Sequence, residues 1–335
     1  MAPLKPRSSI LLALLPLLLG WPMPVFARDP GVIRIYPSHG SPDQVVIQGR
    51  FLENEDIRPP KRGDSRWRNA RRALKELESD EIKNALLEIE VGGQRFQTRT
   101  DNDGVFRVDA IQVGGTWPVG PLRVTARALE DQGHPTPAAQ GAVYILPAGP
   151  SVAVISDFDD TVVVSNITSK RGMIKTALFE NASQLAIVPG GPEAYRRAVA
   201  AGAAALFYVS GSPQNFVNRI VEFLALHGYP AGPLELKNLG TDPTFDAVVY
   251  KLGRIQAILA AHPQTRFLLV GDSGEKDPEI YLEIRRQFPD RILGIVIRQV
   301  PGGENRPERF TGMTTAPDYT ADPDILARLL RPAAP

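Results

Sequence analysis

Residues 152–161 constrain the fold more than any other part of the chain. They form a short apolar run, rich in β-branched residues, that ends in Asp157, Asp159 and Asp160. A short apolar run without alternation is typical of a strand that is buried on both faces, as in a parallel sheet. Ligands of open α/β sheets bind beyond the carboxyl ends of such strands. Because crowded carboxylates repel one another, we expect a divalent cation among them, and ligands that are all oxygen favour Mg²⁺.

Composition limits the chemistry that the chain can carry out. The length of 335 residues suits two domains, and 43% hydrophobic against 22% charged residues is typical of a folded globular protein. A net charge of +1 gives no indication of a nucleic-acid partner. Because the chain has no cysteine, disulfides, thiolate nucleophiles and thiolate metal sites are excluded. Carboxylates and hydroxyls are left to perform any catalysis.

Residues 1–27 have the pattern of an export signal. A positively charged start is followed by an apolar stretch at 10–19 and by small residues that end at Ala27. The alternative, an uncleaved membrane anchor, is disfavoured because the apolar stretch is short and Pro16 interrupts it. We therefore predict cleavage after Ala27 and a periplasmic or secreted protein, a location that suits an exported chain without cysteine.

Residues 28–148 are predicted to form a β-sandwich domain. Short alternating or β-branched runs are separated by glycine-containing turns, such as Gly92-Gly93, that indicate hairpins. A helical segment at 65–82, basic at its start and acidic at its end, is inserted among these strands. Two interpretations of this segment are open. It is either a patch for anionic lipid headgroups with Trp67 at the interface, or a solvated inserted helix, which we favour.

Residues 149–335 alternate buried apolar runs with amphipathic helices, the pattern of a parallel sheet with helices on both faces. Strands are predicted at 152–156, 205–209, 233–236, 267–270 and 293–297, and helices at 192–201, 213–226, 248–261 and 278–288. Ser212 and Asp277 each precede a proline, which predicts that they cap helices that begin at Pro213 and Pro278, and Gly228 is predicted to close the second helix.

Three of these strands end in polar groups, which adjacent parallel strands would gather at one edge of the sheet. Asp157 can attack phosphorus, and Asp159 can protonate the leaving alkoxide and then activate water. Asp272, together with Asp157 and the backbone carbonyl of Asp159, would hold Mg²⁺. Ser210 and the amide of Gly211 would bind phosphate oxygens.

Three further residues complete the predicted site. Lys251 is our choice, over Lys237 and Lys276, for the cation that offsets the gathered negative charge. Thr161 is predicted to orient its neighbours through its hydroxyl. Asp277 is either a helix cap or a member of the metal site, and both interpretations are open. Ser273 lies in a Gly-Asp-Ser-Gly sequence that resembles a serine protease signature, but with no histidine suitably placed we reject it as a nucleophile.

Over residues 150–300 the chain resembles the haloacid dehalogenase superfamily of phosphohydrolases. The four motifs of that superfamily are matched in order by Asp157-x-Asp159-x-Thr161, Ser210, Lys251 and Gly271-Asp272-x4-Asp277. The neighbouring sequence is similar, more narrowly, to the actin-patch phosphatidate phosphatases and their bacterial relatives. That resemblance implies a Mg²⁺-dependent phosphatase acting on phosphatidate or related lipid phosphates. Gly211 departs from it, since many relatives have asparagine there.

An insertion at 166–187 is too short for a separate cap domain and would leave the site open to a bulky substrate. Its basic amphipathic pattern favours equally a lid packed on the core and a contact with an anionic membrane. Two other functions are weighed against a lipid phosphatase. One is a phosphatidate-binding module without turnover, which the retained aspartates disfavour, and the other is a periplasmic phosphatase for soluble phosphate esters.

Overall fold

The computed structural model describes residues 29–54, 60–78, 80–164, 180–239, 242 and 246–331. The predicted export signal and most of the predicted cap insertion lie outside these residues. Among the described helices, none is both long enough and apolar enough to cross a membrane.

Eight of the described strands build the N-terminal sheet. They are β1 (Gly31–Ile35), β2 (Ser38–Gly40), β3 (Gln44–Glu53), β4 (Leu86–Val91), β5 (Gln94–Arg99), β6 (Val105–Ile111), β7 (Gly120–Ala128) and β8 (Ala139–Ile145). Pairing runs β1-β3-β2-β8-β7-β4-β5 with β6 against β3, and every pair is antiparallel except β2 with β8. Alternate residues of these strands turn inward around one core that includes Ile47, Phe51 and Phe106. Strand pairing connects them as one sheet, so the two-sheet sandwich stays a prediction.

Helix α1 (Arg66–Glu78) lies between β3 and β4, where the inserted helix is predicted. The helix ends at Glu78, before the predicted end at Ile82, because residues 81 and 82 pair with strand β3. Glu81 forms a β-bridge with Leu52, and the Ile82 amide donates to the Phe51 carbonyl at 3.0 Å.

The C-terminal half is built from a parallel sheet and its helices. Its strands are β9 (Ser151–Asp157), β10 (Val163–Val164), β11 (Ala186–Ile187), β12 (Ala203–Pro213), β13 (Leu234–Lys237), β14 (Thr265–Asp272), β15 (Ile292–Arg298) and β16 (Thr314–Ala316). The helices are α2 (Gly191–Ala200), α3 (Val217–His227), α4 (Ala247–Ala261), α5 (Asp277–Gln287) and α6 (Ile325–Leu330). Strands pair in the order β13-β12-β9-β14-β15-β16, all parallel, and β10 pairs with β11 as a separate antiparallel ribbon.

Both faces of the parallel sheet are buried. Val154 faces a core that is shared with α2, α3 and α6, and Ile155 faces the opposite core, shared with α4 and α5. Apolar side chains are therefore needed at consecutive positions, which explains why β9 shows no alternation. The predicted parallel sheet with helices on both faces is confirmed.

Two predicted helix caps are wrong. Strand β12 continues to Pro213, and a 3₁₀ turn at Gln214–Phe216 precedes α3, so Ser212 caps nothing. Asp277 is the first residue of α5 rather than its cap, because its side chain is held by other groups. Gly228 closes α3 in the left-handed conformation, as predicted.

Candidate active site

The carboxyl ends of β9, β12 and β14 lie side by side. Strand β9 is between the other two, with Asp157 opposite Val209 of β12 and Ser156 opposite Val270 of β14. Ser210 follows Val209 directly, and Asp272 lies two residues beyond Val270. Parallel pairing therefore gathers the polar groups that end the three strands at one edge of the sheet, where the sequence predicted them.

Lys251 is the cation at the centre of this group. The cap of α4, Asp246, accepts from the Val248 and Val249 amides, which starts the helix four residues before Lys251. The lysine is only 4% exposed. Its Nζ donates to Asp157 Oδ1 at 2.7 Å and to Asp277 Oδ1 at 2.5 Å.

The other two lysines considered from the sequence lie elsewhere. Lys237 Nζ is 5.4 Å from the centroid of the Tyr250 ring, and Lys276 is exposed at the start of α5. The structure thus pairs Asp157 with the lysine chosen from motif order.

Asp272 and Asp277 are linked through the backbone. Asp277 Oδ2 accepts from the Asp272 amide at 3.2 Å, so with Lys251 on Oδ1 both oxygens of Asp277 have partners. Asp272 Oδ1 accepts from the Gly274 amide at 2.6 Å and from the Glu275 amide at 3.2 Å. By contrast, Asp272 Oδ2 and Asp157 Oδ2 are buried and have no hydrogen-bond partner among the described residues.

Asp159 and Ser210 contact each other across the ends of β9 and β12. The Ser210 hydroxyl donates to Asp159 Oδ2 at 3.0 Å and accepts from the Ser212 amide at 3.0 Å. Burial, aided by the charge of Glu275, raises the pKa of Asp159 to about 6, although the Ser210 hydrogen bond opposes the rise. Space is open beside Gly211, where an added Cβ would meet no described heavy atom within 4 Å.

Arg298 holds the turn that follows Asp159, a role that the sequence reasoning did not assign. Asp160 has a positive φ of 52°, an uncommon conformation for a residue with a side chain. Arg298, at the carboxyl end of β15, is buried, and its Nη1 donates to the Asp160 carbonyl at 2.6 Å. A buried arginine that ends an apolar strand is the signal that could have revealed it. The buried Thr161 hydroxyl has no hydrogen-bond partner in the described part of the chain.

Arg309 fixes the loop between β14 and α5, and no sequence signal points to it. Its guanidinium donates to the Ser273 carbonyl at 2.6 Å, to the Glu275 carbonyl, and to both oxygens of Glu279. The Ser273 hydroxyl accepts from the Val300 amide at 2.9 Å, so this serine helps to hold the loop.

Negative charge is in excess at this edge of the sheet. Ligand oxygens of Asp157, Glu275 and Asp277 lie within 4.8 Å of one another, but Lys251 Nζ contacts all three carboxylates. Burial lowers the pKa of Lys251, and the adjacent carboxylates outweigh that effect and hold it well above its usual value. Burial raises the pKa of Asp157 and Asp272, which shows how poorly their charge is offset. Lys251 thus already contacts the three carboxylates of the triad, whereas Asp157 Oδ2 and Asp272 Oδ2 have no such partner among the described residues.

Comparison with known proteins agrees with the motifs. Residues 152–299 match the family model described as "Phosphatidate phosphatase APP1, catalytic domain". Over these residues the chain is similar to that catalytic domain. The predicted resemblance to the actin-patch phosphatidate phosphatases is thus confirmed over the residues that contain the gathered strand ends.

Individual relatives are similar over part of their length. Phosphatidate phosphatase APP1 of Saccharomyces cerevisiae is 32% identical over 173 residues, which cover 50% of this chain and 29% of the yeast protein. An uncharacterized protein of Schizosaccharomyces pombe is 26% identical over 212 residues, or 61% of this chain and 34% of that protein. The chain thus spans less than half the length of either relative. Among solved structures, DsGPDH of Dunaliella salina aligns at 18% identity over 53% of this chain and 36% of that one, with a TM-score of 0.35.

Proposed function

We propose that the chain is a Mg²⁺-dependent phosphomonoester hydrolase that acts through an aspartyl-phosphate on Asp157. One observation carries this proposal. Asp157 is fixed at the end of the central strand β9 by Lys251 through one oxygen, while its other oxygen is buried without a partner among the described residues. A carboxylate that is oriented on one side and unpartnered on the other can serve as a nucleophile. Its setting, with Asp159 and Ser210 alongside, supports a haloacid-dehalogenase-like active site.

The residues present fit a magnesium ion. The unpartnered Asp272 Oδ2 is a hard ligand, and the Asp157 oxygen that does not attack phosphorus would be a second one on the adjacent strand. One buried lysine does not offset the surrounding carboxylates. When bound, Mg²⁺ would neutralise part of the charge on the phosphate and on these carboxylates. We propose that Asp277, whose oxygens already have partners, positions Lys251 and the Asp272 backbone rather than binding the ion directly.

The proposed reaction has two displacements at phosphorus. A carboxylate oxygen of Asp157 forms a bond to phosphorus, the bond from phosphorus to the alkoxide breaks, and Asp159 gives its proton to the leaving oxygen. Asp159 then takes a proton from water as the water oxygen attacks the phosphoaspartate, which releases phosphate and restores Asp157. A pKa of about 6 suits Asp159 to both roles near neutral pH. Ser210 and the Gly211 amide would bind phosphate oxygens at the adjacent strand end.

We propose phosphatidate or a related lipid phosphate as the substrate, because the similarity lies to the catalytic domain of a phosphatidate phosphatase. A phosphatase for soluble phosphate esters is the second candidate, favoured by the predicted export of the chain to the periplasm. A binding module without turnover is disfavoured, since both aspartates that the reaction needs lie at the site.

The test measures phosphate release from phosphatidate in mixed micelles and from p-nitrophenyl phosphate, with Mg²⁺ and with EDTA. We expect the protein to release phosphate from phosphatidate and EDTA to abolish this activity. Asp157→Asn should lower the rate at least about thousandfold. Asp290→Asn, a change at an exposed position, is the matched control and should leave turnover unchanged. Release from the soluble ester alone would favour the second candidate. Release from neither substrate, or full activity of Asp157→Asn, would refute the proposed mechanism.

A further inference from the structure

We propose that the outward face of α1 docks the protein on an anionic lipid bilayer. The inference deepens the proposed function, on which it rests, because it states how a site of this kind would reach a phosphate group held at a membrane surface.

The outward face of α1 carries two exposed apolar side chains, Trp67 and Leu74. Trp67 is 81% exposed, although tryptophan is highly buried on average, and Leu74 is 48% exposed. Spacing of four and then three residues places Trp67, Arg71 and Leu74 on one side of the helix, and Arg71 is exposed as well. A tryptophan and a leucine on one side of a helix, with basic residues beside them, form the kind of surface that inserts between lipid headgroups and acyl chains.

Basic side chains lie beside these two apolar residues. Arg66 and Arg68 are exposed beside Trp67, and Lys75 is half-buried beside Leu74. From residue 66 to residue 75 the chain contains no aspartate or glutamate. Arg68 Nη1 lies 2.9 Å from Asp64 Oδ1. The carboxylate of Asp64 is buried, so it adds no exposed negative charge to this surface. Each lysine or arginine near an anionic membrane surface strengthens binding about fivefold, so several together favour an anionic over a zwitterionic bilayer.

The inward face of α1 fixes the helix to the C-terminal half. Asn69 Nδ2 donates to Gln184 Oε1 at 2.6 Å, and Asn181 Nδ2 donates to Asn69 Oδ1 at 3.2 Å. Arg72, which is buried, donates to Asn69 Oδ1 at 3.0 Å and to Asp64 Oδ2 at 2.7 Å. These hydrogen bonds attach the inward face of α1 to the chain around Asn181 and Gln184, and the opposite face is left exposed.

The same helix lies next to a segment that leads from the proposed active site. Asn215 Nδ2 donates to the Glu76 carbonyl at 2.8 Å. Asn215 belongs to the 3₁₀ turn that follows β12, and β12 carries Ser210. Helix α1 therefore contacts the chain segment that follows β12 at the site, an arrangement that suits a substrate with its phosphate at the membrane surface.

The test measures binding to vesicles that contain no phosphatidate, so that its outcome is independent of turnover. Purified protein is sedimented with vesicles of phosphatidylcholine alone and with vesicles that contain one third phosphatidylglycerol. We expect binding to the anionic vesicles only, weakened by high salt. Trp67→Ala should weaken it about tenfold, and Arg71→Glu at least fivefold.

Two matched controls separate this surface from general effects of exposure and charge. Val113→Ala removes an apolar side chain that is 80% exposed elsewhere, and Arg266→Glu reverses an exposed charge on β14. Both should bind as the unchanged protein does, and Trp67→Ala should hydrolyse a soluble ester at the unchanged rate.

Three results would overturn the proposal. The first is equal binding to both kinds of vesicle, and the second is no effect of Trp67→Ala. The third is binding to duplex DNA that is as tight as binding to vesicles and equally sensitive to Arg71→Glu, which would indicate a general surface for polyanions. If the hydrolase proposal alone is wrong, the unchanged protein will release no phosphate but will still bind the anionic vesicles.

Discussion

Replacing Lys251 by methionine should destabilise the fold as well as abolish activity. The ammonium group of Lys251 lies between two carboxylates, with Nζ 2.7 Å from Asp157 Oδ1 and 2.5 Å from Asp277 Oδ1. All three side chains are at most 5% exposed. Methionine keeps most of the side-chain volume but removes the charge, which leaves two buried carboxylates without their cation. Breaking a buried ion pair in this way typically costs about 3–5 kcal/mol.

The loss of stability should depend on pH. Burial already raises the pKa of Asp157 and Asp277, and without Lys251 only the hydrogen bond from the Asp272 amide to Asp277 opposes the rise. A carboxyl whose folded-state pKa exceeds its unfolded value binds protons on folding, so the variant should become relatively more stable as pH falls. We therefore expect the difference from the unchanged protein to be largest near pH 8 and to shrink towards pH 5.

Urea unfolding in EDTA, from pH 5 to pH 8, measures this difference. Adding Asp277→Asn to Lys251→Met should recover part of the lost stability, about 1–2 kcal/mol, because one of the unpaired charges is then absent. Lys276→Met, at an exposed neighbouring lysine, is the matched control and should change the free energy of unfolding by less than about 0.5 kcal/mol. If Lys251→Met unfolds within 1 kcal/mol of the unchanged protein at pH 8, or if Asp277→Asn recovers nothing, the ion-pair argument is refuted.

Two further predictions concern packing and protonation. A Cβ at Gly271 would lie 2.3 Å from Asp277 Oδ2, so Gly271→Ala should displace that side chain and lower phosphate release at least tenfold. Gly211→Ala adds its methyl group in open space and should change phosphate release less than about twofold. Equal effects of the two substitutions would contradict the geometry. His262, which is 2.8 Å from His39, has its pKa lowered to about 3 by burial, with the charges of His39 and Arg291 adding to the effect. Since the unfolded state then binds a proton that the folded state does not, stability should fall below about pH 6.5 by up to about 1.4 kcal/mol per pH unit. Urea unfolding of His262→Gln should show a flatter pH dependence, and an unchanged slope would contradict this assignment.

Much of the architecture could be predicted because it is encoded locally. The apolar runs that end at Asp157, Ser210 and Asp272 each form a parallel strand in the structure, and the helices between them begin and end within a few residues of their predicted bounds. Failures arose where a residue had two local interpretations. Asp277, placed before a proline, has the appearance of a helix cap, but Lys251 and the Asp272 amide hold its side chain.

Short elements were missed for a different reason. Strands β2 and β16 have three residues each, too few for a pattern to be recognised, and neighbouring strands stabilise them. The role of Arg309 was missed because Glu279 and the Ser273 and Glu275 carbonyls, which it binds, are at least 30 residues away, and no motif records such contacts.

The sequence by itself determined the parallel sheet, the order of its strands along the chain and the kinds of side chain that follow them, since burial on both faces and helix periodicity depend on residue type and spacing. Only the tertiary structure decided which lysine pairs with Asp157, which carboxylate oxygens lack a partner, and which face of α1 is exposed. These depend on distances between segments that are far apart in the chain, and such distances are set when the helices pack on the sheet.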